Sequence, residues 1–398
     1  MRKFTFSVIV FFLFMLINQD LLAQETICKP VEWQLAAQLQ NTNGTISTGF
    51  AGAINGVCGD VLIVAGGANF PEKSPWEGGE KRYSDEIHIL QKQDGKFEWD
   101  KQVNLKLPEP IAYCGNTSTP LGIVYAGGEN EKGLSKKAFL INWDPKQHQL
   151  VIKELPNLPL AVTNVALTSI DNMVYAAGGD MQDSSSRSFY CIDLKSYHPQ
   201  WQPLPLLPVA LANTVAVALK GADGTNIFII GGRTKTPSQI STLHHTVFEY
   251  NTLKRNWSKC ADISDGKRIM NLSAAAGLPF GHNFILITGG DDGSVFHKIE
   301  TYLSKIAKAT TTAESERLTK EKNELNINHK GFYRGILLYN TRNNTWTKVG
   351  DLPFATHVTT TATKWGEDIV LSNGEIKPGV RTPDIMIGKV LITKKNAE

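Results

Sequence analysis

Near the C-terminal end, the run Asn373-Gly374-Glu375-Ile376-Lys377-Pro378-Gly379-Val380-Arg381 sets a carboxylate and a guanidinium six residues apart, with Pro-Gly between them. Pro-Gly favours a tight turn, and a chain that folds back on itself can aim both side chains into one pocket. A proton acceptor beside a fixed cation could take a proton from a bound substrate while the guanidinium holds a substrate carboxylate in bidentate fashion. The same spacing also fits an ordinary surface pair in a turn, which is worth little. Spacing alone does not choose between them. Lys377 between the two reads as a solvated loop lysine or a substrate contact. Cysteine offers no rival chemistry: Cys28, Cys58, Cys114, Cys191 and Cys260 are odd in number, widely spaced and lack a C-x-x-C pair. That pattern gives neither a zinc site nor a disulfide scaffold, only small buried hydrophobes with at most one bridge. The nine His residues are scattered, and the adjacent His244-His245 would alternate faces in a strand, so no metal cluster is expected.

Such residues need a scaffold, and composition bounds it. The chain has 398 residues, 41 Lys+Arg against 38 Asp+Glu and a net charge of +3, which leaves no electrostatic footprint for nucleic acid or an anionic membrane. A hydrophobic content of 41% supports a packed core. Met1-Arg2-Lys3, the apolar run from Phe4 to Leu16 and the small Ala23 before Gln24 read as a cleaved secretory signal over residues 1–23. An uncleaved anchor is the alternative, although the apolar run is short for a bilayer. After cleavage no membrane anchor is expected.

The remainder repeats. VLIVAGG ends at Gly67, IVYAGG at Gly128, MVYAAGG at Gly179, IFIIGG at Gly232 and FILITGG at Gly290, while DIVLSNG carries Asn373-Gly374 in the same place. Each run is short and β-branched, as expected of a buried strand closing on a turn that needs positive φ or close backbone approach. A tryptophan follows in each unit, at Trp99, Trp143, Trp201, Trp257 and Trp346, usually before a Leu-Pro pair. The sixth unit ends without one, and Trp33 at the other end of the chain supplies it. This pattern resembles the kelch repeat, which implies an all-β fold: a six-bladed β-propeller over residues 24–398 whose N-terminal strand closes the last blade. The interval after Gly290 is long, and residues 295–328 are rich in Lys, Glu, Ala and Ser. They predict a helical insertion at about residues 291–330, within blade 5.

Ring closure makes blades 5, 6 and 1 neighbours. The helical insertion, the Glu375–Arg381 run and the long loop from Ala68 to Arg82 then converge on one face, and long loops on a rigid scaffold usually carry function. Trp76 in that loop, like Tyr83 just after it, could stack on the face of a ligand or simply pin the loop.

LSNGEIKPGVRTPDI resembles the active-site segment of the bacterial N-acetylneuraminate epimerases, kelch propellers of the periplasm also called sialic acid mutarotases. The GGANF strand end (Gly66 to Phe70) and Ser84-Asp85-Glu86-Ile87-His88 are similar to a second pair of motifs in that family. The glutamate blade is last here and mid-chain in better-known members, so the chain resembles a cyclically permuted branch. The resemblance implies an isomerase that converts the α-anomer of N-acetylneuraminate to the β-anomer by base-assisted ring opening. Glu375 would be the proton acceptor and Arg381 its partner and carboxylate anchor. Asn373, Lys377, Asn69, Trp76, Tyr113 and His357 are the further candidates for substrate contact. No cofactor or metal is implied, the partner is a small acidic sugar, and a homodimer is open. Thr163 stands where a charged pocket residue is expected, which opens the choice of sugar. Rival readings are a non-catalytic propeller that binds glycan or protein, and a mutarotase for another acidic sugar. A sialidase would have to pair Glu375 with Asp384 and lacks its SxDxGxxW boxes.

Overall fold

The computed structural model describes residues 27–28, 31–41, 43–102, 105–221, 224–236, 240–389 and 392–393. The signal-like segment lies outside them. Six four-stranded antiparallel meanders form the molecule. Blade 1 comprises Ile54–Cys58, Val61–Ala65, Ile87–Gln93 and Lys96–Trp99, innermost strand first. Blades 2 to 5 repeat this order over residues 115–155, 166–203, 215–259 and 276–351. Blade 6 takes Ala362–Trp365, Asp368–Ser372 and Asp384–Lys389 from the end of the chain and Glu32–Gln38 from its beginning, so the ring is the propeller expected from the repeat. The second strand of each blade is the β-branched run. Val61–Ala65 and Asp368–Ser372 are buried along their whole length, as strands covered on both faces must be.

The tryptophans act between blades. Trp99 Nε1 donates to the Gln38 carbonyl at 2.9 Å, Trp201 to Pro156 at 2.8 Å, Trp257 to Pro205 at 3.0 Å and Trp346 to Ala261 at 3.1 Å, each reaching back to the preceding blade or the loop that leaves it. Trp143 differs, lying buried at the end of the third strand of blade 2. Cys58, Cys114, Cys191 and Cys260 are free thiols.

The innermost layer carries the feature that shapes the site. One residue just before each inner strand adopts positive φ: Gly52, Tyr113, Asn164, Asn213, Ala274 and Thr359, between 51° and 63°. Their peptides form a closed ring of hydrogen bonds: Tyr113 N–H to Gly52 at 2.8 Å, Asn164 to Tyr113 at 2.9 Å, Asn213 to Asn164 at 3.1 Å, Ala274 to Asn213 at 2.9 Å, Thr359 to Ala274 at 3.4 Å, and Gly52 to Thr359 at 2.8 Å. Left-handed backbone at Tyr, Ala and β-branched Thr costs about 1–3 kcal/mol each. The ring offsets that cost by satisfying six peptide N–H and six carbonyl groups at once.

The residue before each ring member pairs, in an isolated antiparallel bridge, with the residue directly after the glycine pair. The bridges are Ala51–Ala68, Ala112–Glu129, Thr163–Asp180, Ala212–Arg233, Ser273–Asp291 and Val358–Glu375. The post-glycine positions therefore encircle one mouth of the central channel, and five of the six are charged.

The insertion in blade 5 is a helical hairpin, α1 (Phe296–Lys308) and α2 (Thr312–Ile327). The sequence predicts one helical stretch. It breaks at residues 309–311, where the Thr311 hydroxyl caps α2 by accepting the Glu314 N–H at 3.2 Å. Glu300 ties α1 to blade 4, its two oxygens accepting the Ser241 N–H and hydroxyl at 2.7 Å each. His297 Nε2 adds a 2.8 Å bond to the Ser241 carbonyl. The hairpin thus stands over the mouth of the channel on the side of blades 4 to 6.

Candidate active site

Glu375 and Arg381 face each other across a two-stranded ribbon, Glu375–Lys377 against Val380–Arg381, closed by the Pro378-Gly379 turn. Gly379 has φ of 81°, and its N–H donates to Glu375 Oε1 at 2.7 Å. Arg381 donates to the same oxygen at 2.6 Å. Among the described residues Glu375 Oε2 accepts no hydrogen bond, which leaves it the oxygen open to a substrate. The Arg381 side chain is only 6% exposed against 19% for Glu375. Its guanidinium lies 5.0 Å from the centre of the Phe70 ring, and Nε reaches the Ala68 carbonyl at 3.4 Å. Blade 1 therefore grips the arginine, and the arginine grips the glutamate.

A cavity of about 260 Å³ opens beside this ribbon, between blades 4, 5 and 6 and α1. Its polar wall is made by Glu375, Asp291, Arg233 and Asn213, and its apolar wall by Leu243, Phe296, Ile299 and Phe332. Its volume is just under the range of about 300–1,000 Å³ usual for ligand pockets, which limits it to a single small molecule with a few polar handles. Arg233 is held by Asp180, whose carboxylate is 2.5 Å from NH2 and takes the Ser185 hydroxyl at 2.8 Å on its other oxygen. Asp180 is 2% exposed and Arg233 is 14% exposed. Among the described residues the Nε and NH1 of Arg233 have no partner, so a hydrogen-bonding edge of that guanidinium is available.

Asp291 stands between them. Burial pushes its carboxyl up to about 6, with Asp292 and Glu375 adding to the rise and the Gly293 N–H and His297 opposing it. The Gly293 N–H donates to Oδ1 at 2.8 Å.

Sequence reasoning brings Glu375 and Arg381 to this place. It does not find Arg233 or Asp291, although both hold the position Glu375 holds in its own repeat, directly after the glycine pair. That shared offset in GGR, GGD and NGE was the available signal. The guanidinium on the cavity wall is that of Arg233, while Arg381 is turned to Glu375 and covered.

The remaining candidates lie around the cavity rather than in its wall. Asn373 is fully buried with φ of 56° in the place of a glycine, and its amide has no partner among the described residues. His357 is buried against Phe354, and burial lowers its imidazole to about 4. Asn69 is buried and donates to the Thr48 hydroxyl and the Gly49 carbonyl. Trp76 packs on the turn, since a Cβ added to Gly379 would meet its ring at 3.1 Å, so the residue pins the loop. Lys377 reaches the Ile327 carbonyl at 3.5 Å, at the end of α2. Tyr113 lines the central channel and sits by Lys81, 5.5 Å from its ring, while Tyr83 gives its hydroxyl to Glu129 at 2.8 Å. Thr163 is buried in its bridge to Asp180. Asp384 lies on a blade 6 strand and accepts from Gln38 at 2.9 Å, away from the cavity.

A family model described as N-acetylneuraminate epimerase matches residues 155–398. N-acetylneuraminate epimerase of Salmonella typhimurium (strain LT2) is 30% identical over 234 residues, 57% of this chain and 56% of that protein. The like-named protein of Haemophilus influenzae (strain PittEE) is 27% identical over 235 residues, 59% of each chain. The match thus spans little more than half the length of these curated relatives. Its extent over blades 3 to 6 takes in the cavity and the Glu375–Arg381 ribbon, and this propeller belongs to the N-acetylneuraminate epimerase family.

Proposed function

We propose that the protein is a sugar mutarotase that converts the α-anomer of N-acetylneuraminate to the β-anomer. Anomer exchange needs a proton removed from the anomeric hydroxyl and another delivered to the ring oxygen, so that the anomeric C–O ring bond breaks and a carbonyl forms. Rotation and reclosure on the other face give the second anomer. Glu375 is the base in this reading, with Oε2 facing the hydroxyl while the Gly379 N–H and Arg381 fix Oε1. Arg381 positions the base. Arg233 takes the sugar carboxylate, because its unpartnered edge is on the cavity wall and a guanidinium suits that group. The observation that carries the reading is a half-buried, doubly anchored carboxylate in one small cavity with a second guanidinium.

The substrate class is tested by proton NMR of anomer exchange with N-acetylneuraminate, another 2-keto sugar acid and glucose. Acceleration confined to the acidic sugars supports the reading. Acceleration of glucose alone moves the protein to a neutral sugar, and binding without acceleration makes it a carbohydrate-binding propeller. We further propose export through cleavage after Ala23 into the periplasm, supported by the charged, then apolar, then small-residue order of residues 1–23. N-terminal sequencing of the mature protein beginning at Gln24 would support it, and an intact Met1 would contradict it.

A further inference from the structure

Ring opening needs a proton donor as well as a base, and the post-glycine positions around the channel mouth offer several carboxyl groups. Glu129 is committed to Lys81 at 2.9 Å and to the Tyr83 hydroxyl, and it lies on the side of blades 1 and 2. Asp180 is committed to Arg233 and Ser185. Asp291 differs. Its Oδ1 takes one backbone N–H, and among the described residues Oδ2 has no partner, while the side chain lines the same cavity as Glu375. From the geometry we propose that Asp291 is the proton donor to the ring oxygen, working opposite Glu375 across the bound sugar. The proposal rests on the mutarotase reading and deepens it.

The balance of the step is simple. The proton on the anomeric oxygen passes to Glu375 Oε2, the proton on Asp291 passes to the ring oxygen, and the bond between that oxygen and the anomeric carbon breaks as the carbonyl forms. Closure on the opposite face returns both protons, so neither side chain is changed over a turnover. No redox partner enters.

The surroundings favour a protonated Asp291. The charged and titratable groups facing it are Asp292 beside it, Glu375 from blade 6, Arg233 from blade 4, His297 from α1, and His329 and Lys330 after α2. Burial and the two carboxylates raise the group to about 6, against the pull of the Gly293 N–H and His297. A bound sugar brings one more negative charge into the cavity and raises it further. The donor must be protonated to act, so kcat/KM falls as pH rises through about 6. In the sugar complex the corresponding fall in kcat lies at higher pH.

The experiment measures anomer exchange of N-acetylneuraminate against pH for wild type, Asp291→Asn and Glu375→Gln, with a thermal melt of each. Asn keeps an acceptor for the Gly293 N–H, so Asp291→Asn should fold and melt no lower than wild type at pH 7.5. Its rate should drop by about 100-fold or more, and the alkaline fall should vanish. Carbon-13 NMR of the side-chain carboxyls should show a group titrating near 6 in wild type, absent in Asp291→Asn and shifted down in Glu375→Gln. An Asp291→Asn protein with wild-type rate and an unchanged alkaline limb overturns the proposal and leaves the mutarotase reading standing. A wild type that leaves exchange at its spontaneous rate overturns both.

Discussion

At the scale of residues, the repeat spends its chemistry at one offset, the position directly after the glycine pair. Ala68, Glu129, Asp180, Arg233, Asp291 and Glu375 occupy it in turn. Glu375 and Arg381 were legible as a pair because Pro-Gly between them favours a turn, and as a site only through the resemblance of their segment. Arg233 and Asp291 were not, because each looks ordinary until the six units are superposed and the insertion is folded back over them. Arg233→Lys keeps the charge beside Asp180 and loses the planar fork, so KM for N-acetylneuraminate should rise by roughly 10-fold with kcat nearly unchanged. Steady-state kinetics decides it, and an unchanged KM would move the carboxylate contact elsewhere. His357 gives a pH effect on stability instead. Its folded value of about 4 lies below the ordinary 6.5, so the unfolded chain takes up the proton first as pH falls. The stability tied to neutral His357 is present above pH 6.5 and is lost toward pH 4, at up to about 1.4 kcal/mol per pH unit. Urea unfolding across that range should show the slope in wild type and a shallower one in His357→Asn; equal slopes would contradict it.

At the scale of elements, two loops and a helical hairpin hold the site, and their sequences were readable to different degrees. Lysine- and glutamate-rich residues announced helix in blade 5, but not the break that three consecutive threonines and the Thr311 cap create. Nothing in the sequence paired Glu300 with Ser241, because that contact crosses from one blade to another. Glu300→Ala removes two of the three hydrogen bonds by which α1 holds Ser241, leaving that of His297, and loosens the wall made by Phe296 and Ile299. KM should rise several-fold while the melting temperature moves little, and an unaffected KM would show that α1 does not bound the site. The Pro-Gly turn is less forgiving. Gly379 sits at φ of 81°, and a Cβ there would meet Pro75 Cγ at 2.9 Å, so Gly379→Ala must shift either the ribbon or the blade 1 loop. Since Gly379 also donates to Glu375, the expected loss is in kcat, with far-UV circular dichroism unchanged.

At the scale of the whole molecule, the closed ring gives the site its rigidity. Six blades were countable in the sequence because each needs a buried strand and a turn of special φ, and four of them carry a tryptophan whose indole reaches the blade before it. The ring of hydrogen bonds through Gly52, Tyr113, Asn164, Asn213, Ala274 and Thr359 was not, since nothing in the side chains of Tyr113, Ala274 or Thr359 announces left-handed backbone. Closure depends on Glu32–Gln38 completing blade 6, followed by the fully buried Leu39. Leu39→Ala should cost about 2–5 kcal/mol in chemical unfolding, and a smaller loss would mean that blade 6 holds without its N-terminal seam. Whether Glu375 acts as a base on an anomeric hydroxyl is decided by proton NMR of freshly released α-N-acetylneuraminate. Wild type and Glu375→Gln are compared at neutral pH against the spontaneous rate. Wild type should accelerate the exchange, and Glu375→Gln should lose nearly all of that acceleration. A variant that accelerates as well as wild type would contradict that role of Glu375.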